Sequence, residues 1–178
     1  MPNKTINKRF QATIELKNIL DHSKNINLGN EDAFYKTLLG ISLRRLGQID
    51  LCLKEYIKKP IKKNKSIIKA NIIIGAAQIL FMNTPNYAAV NDAVKIAKII
   101  SPNHVNFTNA ILRNLSRDKE NEKIKEMDPI NNIPSLLKKK WLKLFNNEQL
   151  KKIIKEELEN VLQELNPAMD DLLKQLHP

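Results

Sequence analysis

The stretch from Ser66 to Met82 constrains the fold more than any other part of the chain. It runs SIIKANIIIGAAQILFM, and its apolar residues are interrupted only by Lys69, Asn71 and Gln78. A helix that is apolar on every face is buried among other helices, because a surface helix needs only one apolar stripe. The stretch is also too short and too polar to span a membrane, which takes about 20 apolar residues. It therefore predicts the central helix of a soluble bundle, capped by its first residue and stopped before Pro85.

Glycine is too scarce for the common nucleotide-binding folds. The chain has four glycines, and none follows Gly75. Phosphate-cradling loops and doubly wound nucleotide domains need turns made of residues without side chains. The sequence therefore argues against those classes and, with no strand pattern anywhere, predicts an all-α fold. We expect no cofactor.

The sequence predicts neither a catalytic site nor a metal site. His22, His104 and His177 lie far apart, with no cysteine or carboxylate at ligand spacing. Cys52 lies between two leucines of a predicted helix and has no histidine near it in sequence, which favours packing over nucleophilic chemistry. A single cysteine also excludes an internal disulfide and indicates a reducing compartment. Because residues 1–20 lack the apolar run of a signal peptide, we expect a cytoplasmic protein with no membrane association.

The net charge of +11 is concentrated in the first two thirds of the chain. Residues 1–117 contain 19 Lys and Arg against 7 Asp and Glu, whereas residues 118–178 contain 11 against 12. A basic module followed by a balanced tail indicates a polyanionic partner for the first part. AT-rich coding DNA alone would also enrich Lys, Asn and Ile, so charge by itself leaves nucleic-acid binding open.

Helical periodicity and turn signals divide the chain into a domain at 1–117, a linker or weak helix at 118–134 and a helical tail at 135–178. Asn30 and Asn147 are predicted N-caps. The expected helices cover residues 6–22, 31–43, 50–59, 66–82, 87–100, 105–117, 135–145, 148–165 and 168–176.

Four stretches go beyond a generic helical pattern. They are EDAFYKTLLG leading into LRRLGQID at 31–50, GAAQILFMNTP at 75–85, AAVNDAVKIAK at 88–98 and FTNAILR at 107–113. In this order they resemble the NusB-like domain, and more closely the version at the N-terminus of bacterial ribosomal RNA cytosine-5 methyltransferases of the RsmB (Sun/Fmu) type. The resemblance covers about residues 6–117. It implies two packed three-helix subbundles and an RNA-binding role.

Past residue 117 the resemblance weakens. Residues 133–141, IPSLLKKKW, look like the segment that joins this domain to the methyltransferase half. That half needs a glycine-containing loop for S-adenosylmethionine and two cysteines, but the 37 residues after Trp141 contain neither glycine nor cysteine. We therefore expect the accessory domain without its enzyme, either as a natural stand-alone protein or as a truncated product.

Eleven cations near helix ends are the predicted RNA contacts. Such side chains bind phosphates with salt-dependent affinity, and arginine adds a planar fork for paired contacts. For each residue the alternative is a solvated surface charge, and Arg44, Arg45 and Arg113 have a second alternative in holding helix ends together. The predicted residues are Lys4, Lys8, Arg9, Arg44, Arg45, Lys62, Lys63, Lys65, Lys69, Arg113 and Arg117.

Other polar and aromatic residues are assigned to structure. The polar residues of the family-like stretches are expected to bond buried helix ends. Phe10, Tyr35 and Tyr87 suit the core, so support for base stacking is thin. Trp141 and the apolar residues near it form either a partner-docking face or a face packed back on the bundle. The first set is Asn91, Asp92 and Asn109, and the neighbours of Trp141 are Leu137, Leu144 and Phe145.

The sequence thus favours a non-catalytic, RNA-binding helical module, serving ribosomal RNA recognition or transcription antitermination. One alternative is the substrate-recognition part of an S-adenosylmethionine-dependent ribosomal RNA methyltransferase whose catalytic part lies elsewhere. Another is a protein-interaction module, in which the apolar stripe from Leu150 to Leu165 pairs with a protein partner or with a second copy as a homodimer.

Overall fold

A computed structural model describes residues 4–22, 32–125 and 127–156 of the chain. These residues form helices and connecting turns, with no strand among them. The helices are α1 (Lys4–His22), α2 (Ala33–Arg44), α3 (Leu46–Leu53), α4 (Ser66–Phe81), α5 (Asn86–Ile100), α6 (Val105–Glu120) and α7 (Ser135–Trp141). Residues 147–156 are also helical and are called α8, and short 3-10 turns lie at Lys63–Lys65, Pro102–His104 and Pro129–Asn132.

The helix α4 is the centre of the fold, as its all-round apolar sequence predicts. Eleven of its sixteen residues are buried. It packs against α1, α2, α3, α5 and α6, which surround it on all sides. The helices α4, α5 and α6 contact one another as one group, while α1, α2 and α3 contact in sequence and rest on α4. The predicted all-α bundle of two three-helix groups is confirmed.

Local sequence signals predicted most helix ends to within a few residues of their observed positions, but three details were wrong. Ser66 does not cap α4: it is the first helical residue, and its hydroxyl bonds the Asp21 carboxylate at 2.9 Å. The third helix begins at Leu46, before the expected Asp50, and ends at Leu53. Among the caps, Asn146 rather than Asn147 starts α8.

The N-caps show how polar side chains fix helix starts. Asp32 caps α2 by accepting a hydrogen bond from the Tyr35 amide at 2.9 Å, while the predicted cap Asn30 lies outside the described residues. Asn146 and Gln149 form a reciprocal pair, in which each side-chain oxygen accepts from the other residue's backbone amide. This is a capping box, and it satisfies two amides that the helix itself leaves without partners.

A second, smaller core lies beyond α6. Ile130, Leu150 and Ile154 are buried together, with Trp141 packed against their edge. Trp141 therefore packs on this second core, whereas the neighbouring Leu137, Leu144 and Phe145 are exposed. Of the predicted interaction stripe, Leu150 and Ile154 are covered and Ile153 is exposed, and Leu158, Val161 and Leu165 lie outside the described residues.

No helix within the described ranges combines the length and the apolar character that crossing a bilayer requires.

Candidate nucleic-acid interface

Arg9 was predicted to bind RNA, and the structure corrects this assignment. The residue is only 5% exposed. Its Nε donates to Oε1 of Gln78 on α4 at 2.7 Å, and its Nη1 lies 3.0 Å from the Asp92 carboxylate on α5. The ring of Phe34 on α2 lies 5.0 Å from the guanidinium carbon. Arg9 thus joins α1 to three other helices and has no exposed guanidinium to offer a phosphate.

Burial lowers the pKa of Arg9, and the charge of Asp92 opposes that shift. An arginine starts from so high a pKa that it stays charged, so the site is a buried ion pair. Asp92 had been expected to bond a buried helix end, but it holds the guanidinium of Arg9 instead. The other two residues given that role differ: Asn91 is exposed, and Asn109 accepts a hydrogen bond from Arg113 at 2.9 Å.

Two predicted cations, Arg44 and Arg45, form what we call the C-end group. The guanidinium of Arg45 lies 4.9 Å from the ring of Phe81, the last residue of α4, and Nη1 donates to Gln48 at 3.0 Å. Lys8 does not belong to this group, because it pairs with Asp32 at 3.3 Å at the start of α2, about 18 Å along that helix from Arg44. Arg44 is exposed beside Arg45. The contact of Arg45 with Phe81 puts these two guanidinium groups near the C-terminal end of the central helix.

A different set surrounds the start of α4. Lys62 and Lys65 are exposed in the turn before the helix, and Lys69 pairs with Asp50 at 3.1 Å. At about 1.5 Å per residue, Lys69 and Phe81 are about 18 Å apart along α4. The predicted cations therefore do not form one cluster: Arg44 and Arg45 lie at one end of the central helix, and Lys62, Lys65 and Lys69 lie at the other. The side chains of Lys4 and Lys63 lie outside the described part of the structure.

Arg113 and Arg117 lie on the exposed face of α6. Their guanidinium groups donate to Asn109 and Asn114, each at 2.9 Å and each one turn earlier on the same helix. Neither residue joins α6 to another element through these bonds, so both side chains remain at the surface.

One aromatic prediction was wrong. Tyr87 was assigned to the core but is 78% exposed at the start of α5, whereas Tyr35 is buried as expected. Tyr87 lies in the first turn of α5, and the buried residues of this helix begin only at Ala89. Phe107 and Phe145 are also partly exposed.

Comparison with protein families identifies this domain. The model of the NusB family matches residues 3–117, which include α4, the C-end group and all eleven predicted cations. The chain belongs to the NusB family. Its family-matched part ends three residues before α6 does.

Individual relatives agree with this membership. The chain is 32% identical over 117 residues to the transcription antitermination protein NusB of Helicobacter pylori (strain G27), covering 65% of this chain and 79% of that protein. It is 28% identical over 110 residues to the NusB protein of Helicobacter hepaticus, covering 60% and 69%. It also matches the ribosomal RNA small subunit methyltransferase B of Pasteurella multocida at 28% over 78 residues, covering 43% of this chain and 18% of that protein.

The NusB domain is bonded through Gln48 of α3 to the residues that follow it, and we call residues 127–156 the extension. The Gln48 amide donates to the Asn132 side chain at 2.9 Å, and Asn132 donates back to the Gln48 side chain at 2.8 Å. Gln48 Nε2 also donates to the Met127 carbonyl at 2.5 Å. Residues 127–132, predicted as part of a linker, are thus fixed to α3. In the sequence, this contact is marked only by the Gly-Gln pair of LRRLGQID. The residue that Gln48 binds, Asn132, lies 84 residues later.

Lys119 has a structural role that the sequence did not reveal. Its ammonium group donates to the backbone carbonyl of Ile79 in the last turn of α4. Carbonyls at a helix C-terminus lack partners within the helix and favour a positive charge. Lys119 therefore stabilises the end of the central helix, close to Phe81 and the C-end group.

Cys52 of the NusB domain is buried on α3. Burial, and then the nearby charges of Glu55 and Asp118, raise the pKa of its thiol to about 11. Burial and a hydrogen bond to Asp118 at 3.0 Å also raise the pKa of Tyr56. A protonated, buried thiol is a poor nucleophile. In the described ranges no group of His, Cys, Asp and Glu is arranged to hold a metal ion.

The raised pKa predicts a protected thiol. At about pH 8, we expect iodoacetamide to alkylate Cys52 at least about 100-fold more slowly in the folded protein than in the urea-unfolded chain, because the thiolate fraction falls by that factor before steric protection is added. Mass spectrometry of quenched samples measures both rates. Alkylation of the folded protein within a few-fold of the unfolded rate would contradict the burial and the pKa shift.

Proposed function

We propose that this protein is a non-catalytic RNA-binding module that recognises ribosomal RNA or acts in an antitermination-type complex. The observation that carries the proposal is the C-end group, two neighbouring arginines on a domain of the NusB family. The names of two relatives support it, since one is a transcription antitermination protein and the other a ribosomal RNA methyltransferase.

The geometry of the C-end group suits phosphate binding. A protein that neutralises phosphates with Lys and Arg gains free energy from released counterions. Arg45 is held between the Phe81 ring and Gln48, so little side-chain freedom remains to be lost when an anion arrives. Its planar guanidinium also matches two phosphate oxygens at once. Arg44, exposed on the neighbouring position, adds a second guanidinium.

Neutralising the C-end group together with Lys8, which the sequence also predicts as a phosphate contact, is expected to weaken RNA binding. For the variant Lys8→Gln/Arg44→Gln/Arg45→Gln, the slope of log affinity against log salt should fall in magnitude by about 2, because each lost phosphate contact on a single strand removes about 0.7. Affinity at about 0.1 M salt should fall about 10- to 100-fold. Fluorescence anisotropy with a labelled single-stranded ribosomal RNA fragment at about 50 and 200 mM salt measures both.

The matched control removes the same charge from exposed positions outside the proposed surface: Lys98→Gln/Lys123→Gln/Lys125→Gln. It should leave the salt slope within about 0.5 of the parent value. Equal losses in the two variants would show that only net charge matters. Absence of measurable binding by the parent protein would end the proposal.

A second candidate function is the substrate-recognition part of a ribosomal RNA cytosine-5 methyltransferase. The 78-residue similarity to methyltransferase B favours it. An adjoining reading frame that encodes a glycine loop and paired cysteines would support this candidate over the first.

A protein partner is the third candidate, and the exposed Leu137, Leu144 and Phe145 favour it. Light scattering after size-exclusion chromatography separates a homodimer from a monomer that binds RNA.

A further inference from the structure

We propose that three lysines at and just after α7 form a second phosphate-binding surface, which continues the C-end group beyond the family-matched residues. We call Lys139, Lys140 and Lys143 the α7 group. The inference rests on the proposed function and deepens it: the same RNA strand would contact Arg45 and then the α7 group.

The first argument is that the positive charges of the α7 group have no acidic partner among the described residues. Residues 134–147 contain four lysines and no acidic residue. Lys139, Lys140 and Lys143 are exposed, and none of them pairs with an acidic side chain among the described residues. The lysines of α8 differ, since Lys151 pairs with Asp128 at 3.2 Å and Lys152 lies 3.9 Å from Glu156. Like charges in adjacent turns repel one another, and a bound polyanion relieves that repulsion.

The second argument is position. The side-chain oxygen of Gln48 accepts hydrogen bonds from both Arg45 and Asn132, and the Gln48 backbone amide donates to Asn132. Two extended residues and one turn of α7 then separate Asn132 from Lys139, so their Cα atoms are at most about 17 Å apart. A strand that advances about 3.4 Å per phosphate covers this distance in about five nucleotides. The Arg45 guanidinium adds at most about 10 Å, because Arg45 Nη1 and Asn132 Nδ2 donate to the same oxygen of Gln48 at 3.0 and 2.8 Å, so about eight nucleotides of one strand span both groups.

The third argument is rigidity. The Gln48–Asn132 bonds fix the start of the extension to α3, and the Lys151–Asp128 pair joins α8 to the 3-10 turn. The second core of Ile130, Leu150 and Ile154 holds the turn and α8 together, with Trp141 of α7 against it. A surface held in place loses less conformational freedom on binding than lysines on a free tail would lose.

The same contacts favour RNA over a lipid surface. Basic helices that bind membranes insert an apolar face with aromatic anchors. Here Trp141 packs against the protein's own second core, and α7 has only seven residues. Phe145, two residues after Lys143 in sequence, is 37% exposed, and an exposed aromatic ring offers a face on which an unpaired base can stack.

The test is the variant Lys139→Gln/Lys140→Gln/Lys143→Gln in the full chain, with Lys98→Gln/Lys123→Gln/Lys125→Gln as the charge-matched control. With the single-stranded ribosomal RNA fragment, we expect the α7 variant to lower the magnitude of the salt slope by about 2 and the affinity about 10- to 100-fold, while the control changes little. The charge-conserving variant Lys139→Arg/Lys140→Arg/Lys143→Arg should bind as the parent does. Circular dichroism confirms that each variant is folded.

The outcomes separate this inference from the proposed function. If the parent binds RNA and the α7 variant keeps its salt slope and affinity, the α7 inference is overturned and the proposed function stands. If the parent does not bind RNA, the proposed function fails and the inference fails with it. Loss of binding to phosphatidylserine-containing vesicles, with RNA binding unchanged, would assign the α7 group to a membrane surface and also overturn the inference.

Discussion

Replacing Asp92 with alanine is expected to lower the free energy of unfolding by about 3–5 kcal/mol, because it leaves the buried guanidinium of Arg9 without its countercharge. The side chains of Arg9 and Asp92 are 6% and 15% exposed, and their charged atoms lie 3.0 Å apart. The Gln78 side chain would remain as a hydrogen-bond acceptor, but a neutral amide oxygen does not offset a buried positive charge. Urea unfolding followed by circular dichroism measures the loss.

A second ion pair in the same domain provides the control. Lys69 and Asp50 lie 3.1 Å apart, but their side chains are 39% and 37% exposed. The variant Asp50→Ala should therefore lose less than about 1 kcal/mol, since water solvates the charge that remains. The two pairs match in distance and differ in burial. Similar losses in both variants would show that burial of Arg9 does not set the energy of its pair.

A double variant tests the mechanism further. Arg9→Met/Asp92→Ala removes both charges and leaves an apolar side chain of similar length in the core. It should be more stable than Asp92→Ala alone, because no unpaired charge stays buried.

Replacing Gly47 with alanine is expected to destabilise the protein by about 3 kcal/mol and to release the extension from α3. A Cβ at this position would lie 1.7 Å from the Asn131 carbonyl oxygen and 2.4 Å from its carbon. Both are backbone atoms of the segment that Gln48 binds, so relief requires that the segment move away. Faster trypsin cleavage between residues 127 and 143, together with a lower urea midpoint, would report the release.

The variant Gly40→Ala is the matched control, because it places the same methyl group on a neighbouring helix. Its Cβ would meet only Nη1 of Arg44, at 2.8 Å, which is the far end of a flexible, exposed side chain. Alanine is the better helix former by about 1 kcal/mol, so Gly40→Ala should be neutral or stabilising. If Gly47→Ala behaved in the same way, the close contact between α3 and residue 131 would be refuted.

Local signals in the sequence predicted much of the fold. The apolar run of α4 permits only burial on every face, and the prolines at 85 and 102 separate α5 from its neighbours. The resemblance in residues 31–113 led to the family that the match over 3–117 confirms. The contact of residues 127–132 with α3 was not predicted, because its two sides are far apart in sequence and its bonds are made by polar side chains and backbone groups, which leave no periodic pattern.

The arginines of the candidate site also show what the sequence could predict and what it could not. Sequence identifies Arg9, Arg44 and Arg45 equally as cations near helix ends, and charge alone assigns all three to RNA. Only the packed bundle separates them: Arg9 is enclosed by α2, α4 and α5, Arg45 is held against Phe81, and Arg44 is exposed.

The sequence by itself determined the helical class, the central helix and the family, because periodicity, capping residues and motif order act over a few turns of the chain. The tertiary structure alone decided which cations are buried and which positions bind the extension. Burial and pairing depend on side chains that folding brings from distant parts of the chain, such as Asp92 to Arg9 and Asn132 to Gln48.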